Sequence, residues 1–298
     1  MDFLIAGGSG FIGTALTRSL SEKGHQVWIL TRKASPVTGR SQAHFLQWDG
    51  KSVQEWGKKV NEVDAVINLS GESLSHWPWT EARKRQFLES RTLPTRALVQ
   101  AIRQAERKPR LYLQASGINH YGLRGEPADE NTPPGNDFLA RLTVEWENAS
   151  QPLEELGIRR IITRLAVVLD WHGGMLQLMA LPVRLFLGGP IGNGRQAVPW
   201  IHLQDVIAAM EFLLFNESAR GIYNLIAPQA TSNADFMRTL AHVLHRPYWF
   251  PTPAFLLRLV LGEMSVLITE GRYARPHRLL EAGYTFRYPA LEDALMAR

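Results

Sequence analysis

The 298-residue chain contains no cysteine. That excludes disulfides, a thiolate zinc site, an iron–sulfur cluster and a cysteine nucleophile, and no metal site is expected. Long uncharged apolar runs are also missing: none approaches the roughly 18 residues of a membrane span, so no membrane partner is expected. The N-terminal stretch MDFLIAGGSG lacks a basic segment followed by an apolar stretch and cleavage site, so a cytoplasmic location is expected. Charge of one sign is scarce too, with 33 Lys+Arg against 28 Asp+Glu, a net +5. The basic residues form no stripe interleaved with aromatics, so nucleic acid is not an expected partner. Two readings of the positive balance stay open: a solvated surface of mixed sign, or a pull on anionic ligands such as phosphates.

What is present is an alternation of strand and helix signals. Residues 2–7 (DFLIAG) are a short apolar run closed by glycines, as in a buried strand. Residues 11–24 carry Ile12, Leu16 and Leu20 at helical spacing and stop at Gly24. Further strands are expected at 25–32, 44–50, 64–71, 110–117, 159–170 and 221–228. Helices are expected at 91–105, 142–157 and 202–216, with Pro94 in a first turn or at a kink. Residues 171–200 are rich in Gly and Pro but apolar enough to be an ordered loop around a short helix. The tail predicts helices at 232–245, 253–262 and 265–270, a strand near 284–288 and a helix at 289–298.

The first strand and helix are joined by Gly7-Gly8-Ser9-Gly10-Phe11-Ile12-Gly13. Glycine at such a turn permits positive φ and close backbone approach to a pyrophosphate, while the helix N-terminus offers free N–H groups. The bland alternative is a glycine-rich turn without a ligand. Opening an alternating chain, the spacing points to nucleotide binding. The expected fold class is α/β: a Rossmann-type doubly wound parallel sheet over 1–170, completed by 202–228. Residues 171–201 and 229–298 form a smaller, mainly helical C-terminal substrate or cap region.

The second strand ends in Thr31-Arg32-Lys33, where NAD enzymes carry an acid for the ribose hydroxyls. Arginine offers a planar fork for a 2′-phosphate, which a carboxylate would repel. NADP(H) is therefore the expected cofactor, with a solvated basic loop as the alternative.

The glycine spacing, DAVINLSG (64–71) and later segments together resemble the extended short-chain dehydrogenase/reductase superfamily. AGGSGFIGTAL, DAVINLSGES, RLAVVLDWHGGML, LGGPIGNGRQAVPWIHLQDV and the tail resemble, more narrowly, its atypical "epimerase family" branch, related to nucleoside-diphosphate-sugar epimerases. The resemblance covers essentially the whole chain. It implies that Phe11 and Ile12 lie against the pyrophosphate turn and Asp49 contacts the adenine end. It places Asn68, Leu69, Ser70, Gly71 and Glu72 at the ribose and substrate gate, and Val167 on the strand nearing the nicotinamide. The alternative is that Asn68 and Ser70 simply cap backbone groups, and Val167 is a core residue in either case.

The superfamily's proton relay is a Tyr and a Lys four residues apart, the Lys lowering the phenol pKa. Phe138 and Leu142 stand at those positions and transfer no proton. Ser116 falls near the family's catalytic Ser/Thr, and Tyr121 resembles the Tyr of a Tyr-Gly pair. These two are the catalytic candidates, with Tyr121 otherwise a packed loop aromatic. Arg195, in the glycine-rich loop 187–196, could pair with an anionic group of the substrate, or the loop is a lid without substrate contact. His202 falls at the base of the substrate region. The expected function is NADP(H)-dependent hydride transfer with a carbonyl or carbinol carbon of a small molecule, nucleotide-linked or not. The alternative is a catalytically silent NADP(H)-binding redox sensor. A homodimer through two helices, using Leu98 and Ile102, stays open beside core packing.

Overall fold

The computed structural model describes residues 1–32 and 43–297. In chain order its elements begin with β1 (Asp2–Ala6), α1 (Phe11–Glu22), β2 (Gln26–Thr31), β3 (His44–Gln47) and β4 (Ala65–Asn68). Then come α2 (Glu81–Gln104), β5 (Leu111–Gly117), α3 (Phe138–Asn148), β6 (Arg159–Leu165), β7 (Val167–Asp170) and β8 (Gly173–Gly174). They continue with α4 (Met175–Arg184), β9 (Trp200–His202), α5 (Leu203–Phe215) and β10 (Gly221–Leu225). The tail holds α6 (Asn233–Val243), α7 (Ala254–Leu261), α8 (Val266–Thr269), α9 (His277–Glu281) and α10 (Leu291–Met296).

Seven parallel strands form the main sheet in the order β10-β6-β5-β4-β1-β2-β3. This is the Rossmann-type arrangement, with the order reversing between β1 and β4. The carboxyl ends of those two strands open a crevice where ligands of such sheets bind. Along β1 the side chains alternate: Phe3 and Ile5 join Leu16, Leu20 and Met210 on one face, Leu4 and Ala6 join Leu98, Ile102 and Tyr112 on the other. A third cluster, including Leu176, Trp200, Phe236 and Leu295, ties the small sheet β8-β7-β9 to α4, α6 and α10. Leu98 and Ile102 are fully buried against the main sheet, so they offer no face to a second subunit.

Several expected elements differ. The strand expected at 159–170 breaks at Ala166, whose N–H donates to the Leu225 carbonyl while Val167 N–H donates to Pro199. The break passes the chain from the main sheet to the small one. Helix α2 starts at Glu81, capped by the Thr80 hydroxyl, and continues through Pro94. Helix α3 starts at Phe138, capped by the Asp137 carboxylate, and ends at Asn148; a 3-10 turn follows at Gln151–Leu156. The strand expected near 284–288 does not form. Its groups go instead to buried Asp205, whose carboxylate accepts from the Tyr284 hydroxyl (2.9 Å) and the Arg287 and Tyr288 N–H groups (2.8 and 2.9 Å). Burial beside that carboxylate raises the Tyr284 phenol pKa.

Candidate functional site

Four residues turn the chain from β1 into α1. A Cβ on Gly7 (φ +78°) would stand 2.7 Å from the Leu69 carbonyl, and one on Gly13 would stand 2.2 Å from the Gly7 oxygen. These two glycines are required by the protein's own packing. Gly10 is different: a Cβ there meets only the Gly7 oxygen, at 3.2 Å. Gly10 is also the N-cap of α1, with no side-chain cap and no acid in the first turn. The first-turn N–H groups, from Phe11 onward, are therefore without a capping acceptor, at the positive end of the helix dipole. This geometry fits a diphosphate. The Phe11 ring packs over Gly173 and Gly174, and Ile12 is half-buried against the core.

Across the crevice, Asn68 is fully buried. Its amide nitrogen donates to Thr95 (2.9 Å) and the Tyr112 hydroxyl (3.0 Å), and its oxygen accepts from Ser70 N–H (3.1 Å). Asn68 thus shapes the turn rather than reaching a ribose, which corrects its expected role. The Leu69 N–H joins Ala6 O, while the Ser70 hydroxyl oxygen is buried without a hydrogen-bond partner among the described residues. Gly71 is exposed, with the Arg91 side chain behind it. The Glu72 carboxylate lies between His76 (2.7 Å) and Arg83 (3.1 Å), so it is directed to its own loop and α2. Arg91, itself buried, donates to the Glu72 carbonyl; burial lowers its pKa to about 10.

At the end of β2, Thr31 is buried and Arg32 is exposed, with no ion pair among the described residues. Lys33 lies outside the described residues. The Arg32 side chain runs beside Gly50, next to Asp49. Asp49 is exposed, and its carboxylate accepts from the Ser52 hydroxyl (2.6 Å) and the Ser52 and Lys51 N–H groups. These bonds, the Ser52 hydroxyl foremost, lower its pKa to about 2.

Beyond the end of β5 a buried polar cluster replaces an open relay. The Ser116 hydroxyl donates to Glu147 at 2.7 Å, and Arg164 pairs with both Glu147 oxygens at 2.8 Å. Arg164 also donates to the Tyr121 hydroxyl (2.9 Å), which donates to Asn224 (2.7 Å), and it lies 3.0 Å from the His120 ring nitrogen Nε2. Burial pushes the Tyr121 phenol up to about 12. Burial pushes His120 down to about 4, and its Nδ1 has no hydrogen-bond partner. Burial also works to raise the Glu147 pKa, but the Arg164 hydrogen bonds and charge outweigh it and lower the net value.

Residues 3–225 match the model of the NAD dependent epimerase/dehydratase family. The chain belongs to that family. Residues 252–297 match a domain of unknown function, DUF1731. "Epimerase family protein YfhF" of Bacillus subtilis is 36% identical over 99% of this chain and 97% of its own length. "Epimerase family protein SDR39U1" of mouse is 37% identical over 99% and 98%. The crystal structure of human epimerase family protein SDR39U1 (isoform2) with NADPH superposes with a TM-score of 0.90 at 34% identity, covering 99% of this chain and 98% of that one. UDP-glucuronic acid 4-epimerase from Bacillus cereus, at 17% identity and a TM-score of 0.80, shares the fold.

Within this family framework, the structure corrects the catalytic candidates. Ser116 and Tyr121 are 3% and 1% exposed, and their hydroxyls are committed to the cluster. They are not poised to exchange a proton with a ligand. Leu142 is buried, while Phe138 packs edge-on against Trp79 and under the Lys84 ammonium, 5.4 Å from its ring centre. Lys84 pairs with Glu81 (2.9 Å) and with Glu263 (2.5 Å), joining α2 to the C-terminal region. Trp79 precedes α2 and Lys84 lies in its first turn, ahead of the helix start expected at 91. His202 is also corrected. It is 3% exposed, its Nδ1 accepts from Gln204 N–H (3.2 Å) as the cap of α5, and its ring packs on Tyr288. Arg195 is exposed in a loop pinned by Gly194 and Gln196, and Val167 is half-buried where β7 meets β9.

Proposed function

We propose that the chain is an NADP(H)-binding oxidoreductase or nucleotide-sugar epimerase-like protein. The observation that carries the reading is Gly10, where a Cβ would meet a single backbone oxygen at 3.2 Å, above an uncapped helix N-terminus. The NADPH of the human relative's structure supports the cofactor. Under this reading the N–H groups of the first turn of α1 hold the diphosphate, the orphaned Ser70 hydroxyl finds its partner in the crevice, and Arg32 pairs with the 2′-phosphate. Asp49 and the 68–72 turn wall the two ends of the site, and Val167 of the small sheet and Phe11 at the start of α1 close it. A bound nicotinamide would supply or accept a hydride at a carbonyl or carbinol carbon. Arg195 is the residue offered to an anionic substrate group. With Ser116 and Tyr121 committed internally, the accompanying proton is exchanged with water.

A second reading has an observation of its own. The burial of both hydroxyls, with Phe138 and Leu142 at the relay positions, favours a silent NADP(H)-binding sensor. The two are separated by mixing the protein with NADPH and a panel of carbonyl compounds and nucleotide sugars and following NADPH oxidation. Turnover that disappears in Gly10→Asp supports the enzyme. Tight binding without turnover across the panel supports the sensor, and no binding rejects both.

A further inference from the structure

Helix α7, AFLLRLVL, has no buried residue although all but Arg258 are apolar. A surface helix of a globular protein buries one apolar face; α7 exposes Phe255 by 67% and Leu259 by 79%. It continues a larger surface. The Trp249 and Phe250 N–H groups donate to the Gly188 carbonyl, and the Trp249 indole donates to the Phe186 carbonyl at 3.0 Å. These bonds hold exposed Leu185 and Phe186 beside exposed Trp249 and Phe250, which lead into α7 along the chain. Scattered exposed apolar residues are ordinary, but a continuous patch marks an interaction surface.

The charges within the two segments that form this face are of one sign, and the acid that follows them, Glu263, is paired with Lys84 at 2.5 Å. Residues 171–196 and 244–262 contain Arg184, Arg195, Arg246 and Arg258 and no Asp or Glu. Arg184 lies over the Trp171 ring and Arg246 over Phe186, placing cations among the aromatics. A second copy of the chain, docked through the same patch, would set arginine against arginine with no carboxylate to pair. An anionic bilayer satisfies both features: apolar depth for the exposed side chains and lipid phosphates for the guanidinium groups.

We propose that this face docks on the surface of an anionic phospholipid bilayer, with α7 lying in the interface. Docking of this kind requires no spanning helix, and among the described residues no helix is long and apolar enough to cross. The expectation of no membrane partner rested on the missing span alone.

The test is sedimentation of the full chain with phosphatidylglycerol-containing vesicles and with pure phosphatidylcholine vesicles. The bound fraction should be at least about tenfold higher on the anionic vesicles and fall as salt is raised. Phe255→Glu/Leu259→Glu should abolish it with thermal unfolding unchanged. Arg246→Glu/Arg258→Glu, which keeps the apolar residues, should lower it by about tenfold or more. No sedimentation with anionic vesicles, or binding that ignores both double variants, overturns the proposal. So does a dimer in light scattering that Phe255→Glu/Leu259→Glu converts to monomer, which would assign the face to a second copy.

Discussion

Glu147→Gln removes the carboxylate that Arg164 pairs with among the described residues, and Arg164 is 2% exposed. The substitution keeps the shape of the side chain but leaves a buried guanidinium without a counter-charge. It also replaces the acceptor of the Ser116 hydroxyl by one end of an amide. Breaking one partner of a buried pair costs about 3–5 kcal/mol. That is a large share of the roughly 5–15 kcal/mol total typical of a domain. Urea unfolding followed by tryptophan fluorescence should show a lower midpoint at unchanged slope. The double variant Glu147→Leu/Arg164→Met removes both charges and should recover much of the loss, because the desolvation cost of each ion disappears with it. A single variant that loses less than about 1 kcal/mol would refute the reasoning, since the pair would then behave like an exposed one. A double variant no more stable than the single would refute it as well.

Three further outcomes follow from the same geometry. His120 has a folded pKa of about 4, below its unfolded value, so its contribution is full above about pH 6.5 and is lost as pH falls toward 4. His120→Gln should flatten stability over that window, by at most about 3 kcal/mol; an unchanged pH profile would contradict the burial argument. Asp205→Ala leaves the Arg287 and Tyr288 N–H groups without their acceptor and the Tyr284 hydroxyl with only the residue 205 carbonyl, and should make the C-terminal segment exchange amide hydrogens faster while the main sheet stays protected. Uniform exchange behaviour in parent and variant would sink that assignment. Gly13→Ala should destabilise the fold by more than Gly10→Ala, because its Cβ meets backbone at 2.2 Å where that of Gly10 meets it at 3.2 Å; equal loss in thermal unfolding would contradict the comparison.

The glycine turn and the alternation of apolar strands were legible because each rests on local chemistry: spacing, φ and period. The parallel sheet follows from them. What lay outside the sequence was mostly a matter of where side chains spend their hydrogen bonds. Asn68 sits at the crevice by position but faces Thr95 and Tyr112, and nothing local says so. Ser116, Tyr121 and His120 are brought to Arg164 by pairing of β5 with β6, a long-range contact. The 284–288 stretch has a strand-like composition, yet Asp205, 82 and 83 residues away in sequence from Arg287 and Tyr288, captures their N–H groups. The early start of α2 was hidden by Pro94 and by EARKRQ, which lacks an apolar stripe.

The most direct test of the central claim is to release any nucleotide from the purified protein, identify it by mass, and titrate NADPH and NADH into the stripped protein and into Arg32→Asp. The account predicts NADP(H) in the preparation, NADPH binding well above NADH in the parent, and a loss of that preference in Arg32→Asp. Equal affinity for the two nucleotides, or a preference for NADPH that survives in Arg32→Asp, would contradict the role given to Arg32. Absence of binding to either would contradict the site itself.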